Sequence, residues 1–152
     1  MSRNNKFLVV YVFSKYDDLS RLENFVDSYI KYDHGYQHEL LICYKLIDDK
    51  KLFLCRKITS KIHHKEFIDP NKNNDFEFKT MERAIQSYEN YLVLFLISHC
   101  CFESHNSIKI INDLYEENSF IGFSGSNESM LSSLKFKKIF KIFSFLKNYF
   151  YF

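Results

Sequence analysis

Glycine, proline and tryptophan are nearly missing from this chain of 152 residues, which holds three, one and none of them. So few glycines leave no Gly-rich phosphate loop after the first apolar run, which sets aside a dinucleotide domain of the G-x-G-x-x-G kind. Repeats and low-complexity segments are lacking too. The four cysteines, Cys43, Cys55, Cys100 and Cys101, read as reduced thiols rather than as a disulfide framework, and point to the cytoplasm. The opening apolar run, Phe7 to Phe13, falls far short of the ~18 residues a spanning helix needs. Together with the polar start, Met1 to Lys6, and the lack of a small-residue cleavage site, it predicts neither a transmembrane segment nor a signal peptide. Charge of one sign is also scarce: the net value is +2. Lys135, Lys137, Lys138, Lys141 and Lys147 supply five positive charges within an acid-free tail, so the remainder carries −3. A body of that sign offers no basic face for nucleic acid, which is excluded as a partner.

What is present is apolar and aromatic. Hydrophobic residues make up 46% and charged residues 26% of the chain, a globular composition at a length usual for one domain. Phe7 to Phe13 is an unbroken run of the kind buried on both faces of a parallel sheet, and reads as a first, central strand. Asp17 and Asp18 carry helix N-cap chemistry ahead of Leu19, Leu22, Phe25, Val26, Tyr29 and Ile30, which recur at helical spacing. Glu39 to Ile47 is a second strand, ending at Asp48 and Asp49. The signal between Lys50 and Lys65 is mixed between helix and strand. Lys65 to Ile68 is a short strand, and Asp69 to Asp75 an exposed loop dense in turn formers. Phe78, Met81, Ala84, Ile85 and Tyr88 predict a further helix, and Tyr91 to Ile97 another buried strand that stops at Ser98-His99-Cys100. Asn106 can cap a helix carrying Ile108, Ile111 and Leu114, ahead of a short strand at Phe120 to Phe123 and a turn at Ser124 to Asn127. Strand and helix alternate, which predicts an α/β domain with its ligand at the strand ends.

Four segments carry a resemblance: VVYVFSKYDDLSRLENFVDSYIKY, FIDPNKNNDFEF, YLVLFLISHC and FIGFSGSNES. In this order and spacing they resemble the nucleotide-sugar-binding part of GT-A-type glycosyltransferases, and more narrowly a bacterial glycosyltransferase-like family of surface-polysaccharide and lipopolysaccharide synthesis. The resemblance implies a Rossmann-like three-layer α/β/α sandwich with a mostly parallel sheet over residues 1–134, followed by a tail over 135–152. It implies that Ser14, Lys15 and Tyr16 meet the nucleotide base, and that Asp48 or Asp49 meets the base or ribose. It places Asp69 and Asp75 in the nucleotide pocket, Ser98 and His99 in the turn that faces the diphosphate, and Gly125 and Ser126 in a turn whose backbone N–H groups approach phosphate. The implied partners are a nucleotide-diphosphate sugar and a glycan or lipid-linked acceptor. In GT-A domains an Asp-x-Asp motif in the turn after the fourth long strand holds a divalent cation, Mg²⁺ or Mn²⁺. Here that position reads Ser98-His99-Cys100, and the carboxylates such a cation uses are missing. The acceptor-binding half, which supplies the catalytic base, has no counterpart in the matching segments.

Other readings compete. His99, Cys100, Cys101 and His105 lack the C-x-x-C spacing of a structural zinc site. Gly122 to Ser126 approaches the G-x-S-x-G elbow of hydrolases, but Ser126 stands where the last glycine belongs. Singly, Asp48, Asp49, Asp69 and Asp75 also suit turns and helix caps. The basic, Phe-rich tail over 135–152 fits either peripheral contact with an anionic membrane or packing on the domain. A non-catalytic interaction module is the alternative to a transferase.

Overall fold

The computed structural model describes residues 6–116; the expected strand and turn at 120–127 and the basic tail lie outside them. Four strands form one all-parallel sheet, β1 (Lys6–Ser14), β2 (Glu39–Lys45), β3 (Lys65–Ile68) and β4 (Tyr91–Ile97), in the order β3-β2-β1-β4. Four helices alternate with them: α1 (Leu19–Lys31), α2 (Asp49–Thr59), α3 (Glu77–Ala84) and α4 (Ser107–Leu114). This is a Rossmann-like three-layer α/β/α fold, as the alternation of elements predicts.

The two faces of β1 sort the layers. Phe7, Val9, Tyr11 and Phe13 pack with Leu22, Phe25 and Val26 of α1, Leu52 and Cys55 of α2, and Ile108 of α4. Leu8, Val10 and Val12 turn the other way, onto Met81 and Ala84 of α3. Side chains alternate across a strand, so a run with both faces covered must be apolar at every position. β1 is central as expected. β4 has the same composition, yet its residues are half-buried because, among the described residues, only β1 pairs with it. Tyr11 joins layers as well as faces: its ring stacks on Phe25 at 3.8 Å, and its hydroxyl donates to Ser98 O at 3.2 Å.

Several local readings need correction. Residues 50–65 resolve into α2 followed by a turn. Asp48 starts that helix by accepting from Lys51 N at 2.7 Å, the usual N-cap bond. Neither Asp17 nor Asp18 caps α1: Asp18 occupies the N-cap without a side-chain bond, and Asp17 is drawn elsewhere. Asn106 sits at the N-cap of α4 with φ 61° and no capping bond. Phe78 is exposed, because α3 turns Thr80, Met81 and Ala84 inward instead. His64 is mostly covered, its Nδ1 donating to Ile62 O. The 69–75 loop is open only in part: Asp69 is 2% exposed.

The α1–β2 loop and the segment leading into α4 lock together. Asn106 N donates to Asp33 O at 2.7 Å and Lys109 N to His34 O at 3.2 Å, while His105 Nδ1 accepts from Asp33 N. Gly35 takes φ +67°, and a Cβ there would come within 2.3 Å of Asn106 Oδ1. His34 is buried between Tyr29, His38 and Phe102. Its Nε2 donates to Tyr29 O, so Nδ1 is a buried acceptor with no partner. His38 Nδ1 donates to Tyr36 O and Nε2 accepts from Tyr29 OH at 2.6 Å. Burial, reinforced at His34 by the neighbouring His38, holds both rings below their ordinary pKa; the carbonyls of Tyr29 and Tyr36, and the charge of Asp33, oppose it.

Two outcomes follow from this lock. Gly35→Ala should lower unfolding free energy in urea by about 1–3 kcal/mol, because left-handed strain adds to the clash with Asn106. The unfolded histidines take up protons near pH 6.5 while the folded pair resists, so stability should hold above that pH and decline as pH falls through the lower folded values. Denaturation midpoints at pH 7.5 and 5.5 should differ for the native chain, and by less for His34→Gln.

Candidate functional site

All four strands run the same way, so the loops after Ser14, Lys45, Ile68 and Ile97 leave from one edge of the sheet. β2 and β3 extend to one side of β1 and β4 lies on the other, so the strand order reverses between β1 and β4. Open parallel sheets part their loops at such a point and leave a crevice there.

Asp17 fills the floor of that crevice. Its Oδ2 accepts from Ser14 N and Ser14 Oγ, both at 2.8 Å. Its Oδ1 accepts from Arg21 Nη1 at 2.9 Å and from Ser98 Oγ at 2.6 Å. A carboxylate has about four lone-pair sites, and all are taken. Burial alone would raise the Asp17 pKa, but the bonds from Ser98 and Ser14 and the charge of Arg21 hold it below its ordinary value. Arg21 Nη1 also lies 2.9 Å from His99 Nε2. Arginine has only donors, so Nε2 accepts and the neutral ring carries its proton on Nδ1. Ser14, Ser98 and His99 therefore gather around two residues the sequence reading gave no part in the site, Asp17 and Arg21.

A second cluster lies beyond β2 and β3. Asp69 accepts from Arg83 Nε at 2.9 Å and Asn71 N at 3.0 Å on one oxygen, and from Thr80 Oγ1 and Arg83 Nη2, each at 2.5 Å, on the other. Asp75 Oδ2 accepts from Asn71 Nδ2 at 2.8 Å and Arg83 Nη1 at 2.9 Å. Its Oδ1 faces Lys45 Nζ at 3.3 Å, and Lys45 also donates to the Asp75 main-chain oxygen. Lys45 is 2% exposed, and a buried ammonium needs such company. Arg83, with Lys45 and Asn71, draws the Asp75 pKa down to about 2; Asp69, raised by burial, is brought below its ordinary value by Arg83, Thr80 and Asn71 N. Two acids and two bases balance, and they pin the 69–75 loop to α3 and β2.

The two clusters are joined. Lys15 N donates to Lys45 O at 3.0 Å, and Lys51 Nζ reaches the main-chain oxygens of Lys15 at 2.8 Å and Asp17 at 2.5 Å. Tyr16 stands out from this loop at 64% exposure, beside Lys15 Nζ at 4.8 Å from its ring. Asp48 belongs to the same edge, but its side chain is spent on the cap of α2. Gly125 and Ser126 lie outside the described residues. Arg21, Lys45, Lys51 and Arg83 were overlooked in sequence; Lys45 alone gave a signal, as a charge closing the apolar run ELLICYK.

Two surface depressions, of about 610 and 670 Å³, lie at the opposite edge, where the strands begin. There Glu39 meets Lys65 at 2.6 Å and Tyr91 OH at 2.7 Å. The side chains gathered at the C-terminal edge are the candidate site. Among the described residues no group of three or more His, Cys, Asp and Glu side chains is placed to hold a metal ion, and no helix is long and apolar enough to cross a membrane.

Fold and edge together define a Rossmann-like α/β domain with a polar crevice at its topological switch point. No protein-family model matches the chain, and neither the curated proteins nor the solved structures give a match.

Thr80→Val removes one of four donors to a carboxylate whose side chain is fully buried. It should lower unfolding free energy by about 1–3 kcal/mol, read from urea denaturation at neutral pH. Because Asp17, Asp69 and Asp75 titrate below their ordinary 3.8, their contribution is full above that pH and lost as pH falls through the folded values. The penalty for Thr80→Val should accordingly shrink in strong acid.

Proposed function

We propose that the chain binds a nucleotide-diphosphate sugar at the C-terminal edge of its sheet, as a GT-A-like glycosyltransferase domain of polysaccharide or lipopolysaccharide assembly, with a glycan or lipid-linked acceptor. One observation supports it above the rest. Ser14, Tyr16, Asp48, Asp69, Asp75, Ser98 and His99, set apart in the sequence by the resemblance, all stand at or after the C-terminal ends of neighbouring parallel strands. Open α/β sheets take their ligands there.

The loops are held before any ligand arrives, by Lys51 on one side and Arg83 on the other. A pre-organised pocket loses less entropy on binding. Asp17, Asp48, Asp69 and Asp75 are each engaged in holding a loop or a cap, so the reading is one of donor binding, with none of these four cast as the base that deprotonates an acceptor. Phe53, Phe76 and Phe78 favour a second reading: they are largely exposed, Phe76 by 80%, and suit a non-catalytic interaction module.

Thermal shift against UDP-, GDP- and dTDP-sugars separates the two. A donor at a hundred times its dissociation constant adds about 2.7 kcal/mol to stability, and at least one of the three should raise the melting temperature visibly. No shift with any of them would leave the interaction module as the better account.

A further inference from the structure

We propose that the β1/β4 crevice binds the oxyanion of a phosphate ester or diphosphate directly, without a bridging cation, through the free edge of the Arg21 guanidinium and the Nδ1–H of His99. The nucleotide-sugar reading bears on what carries that anion; the anion site itself stands on the hydrogen-bond inventory of the crevice.

The Asp17 carboxylate is spent. Asp17 takes four hydrogen bonds. Ser14 Oγ gives its proton to Asp17 and accepts from Tyr16 N at 3.3 Å, and Ser98 Oγ gives its proton to Asp17. The donors are only partly spent. Arg21 Nη1 is taken up by Asp17 and His99, with a longer contact to Ser98 Oγ at 3.5 Å, which leaves Nε and Nη2, three N–H groups in fork geometry, without a partner among the described residues. The Arg21 side chain is 36% exposed, so this edge is within reach of a ligand. His99 Nε2 is occupied by Arg21, and its proton on Nδ1 likewise has no partner among the described residues. Lys15 adds an ammonium on the same loop.

What the crevice still needs is an acceptor with several oxygens. A cation would find no lone pair in Asp17, whereas a phosphate oxygen meets unspent N–H groups. Arg21 also sits in the first turn of α1, where the helix dipole disfavours positive charge. Asp17 offsets that charge once, and an anion at the outer edge of the guanidinium would offset it again. The Asp17 bond fixes the guanidinium and Arg21 fixes His99, so both donors stand in place beforehand.

Calorimetric titration of the full chain with inorganic pyrophosphate, in EDTA, tests this directly, with inorganic phosphate and a UDP-sugar as further arms. Pyrophosphate should bind in EDTA and weaken as salt rises. Arg21→Lys keeps a charge for Asp17 but loses the fork, and should weaken binding about tenfold or more, the loss of one charge-assisted hydrogen bond. His99→Leu, at an exposed position, should weaken it several-fold, and it keeps the test sharp if Arg21→Lys folds poorly. Lys65→Ala, at the opposite edge, should leave binding unchanged. Binding of pyrophosphate only when Mn²⁺ replaces EDTA, no binding at all, or binding indifferent to both crevice variants would overturn the proposal. A UDP-sugar that binds equally to native chain and variants would sink the anion site and keep the nucleotide-sugar reading. Pyrophosphate binding through Arg21, with no gain from a UDP-, GDP- or dTDP-sugar, would do the reverse.

Discussion

The Asp17 carboxylate holds together the three pieces of chain that make the crevice. Ser14 closes β1, Arg21 opens α1 and Ser98 follows β4, and each gives it a hydrogen bond. A hydroxyl or amide in its place could not accept four donors at once, and the positive charge in the first turn of α1 would lose its counterion. The rest of the edge is built on this fixed point. Lys51 ties the same loop to α2, and Lys15 ties it to the end of β2, where Lys45 begins the second cluster.

Charge is divided by function along this edge. These acids are consumed by anchoring: Asp69 and Asp75 by Arg83, Asn71, Thr80 and Lys45, and the exposed Asp48 by the cap of α2. Bases at the crevice retain unspent donors. A protein that carries −3 outside its tail thus keeps donors at this point, because the Asp17, Asp69 and Asp75 carboxylates are already engaged. Net charge sets solubility and long-range steering, whereas recognition depends on which groups remain unsatisfied.

The sheet was legible because the two apolar runs FLVVYVF and YLVLFLI read as strands, although only the first is buried on both faces. The alternation then places the loop residues at one edge, without any knowledge of side-chain contacts. Helix α2 was obscure because Phe53 and Leu54 lie on its exposed side beside the buried Leu52 and Cys55, which blurs its period. Asp17 was taken for a cap because Asp17-Asp18 ahead of an apolar run looks like one. Its decisive partner, Ser98, is 81 residues away, and no local pattern announces it. Arg83 was hidden for a similar reason: it reads as one solvent charge of a short helix until the fold brings Asp69 and Asp75 to it.

The segment from Ser98 to Asn106 is anchored at both ends, by different means. Near its start, Ser98 and His99 are held by Asp17 and Arg21. Further on, Phe102 packs among His34, Tyr29 and Phe25, and Asn106 bonds to Asp33 and abuts Gly35. One anchor rests on charge and the other on aromatic burial around neutral histidines, so they respond differently to the medium. Salt screens the partly exposed Arg21 pair, whereas acid opposes the histidine lock, whose rings burial holds below their ordinary pKa.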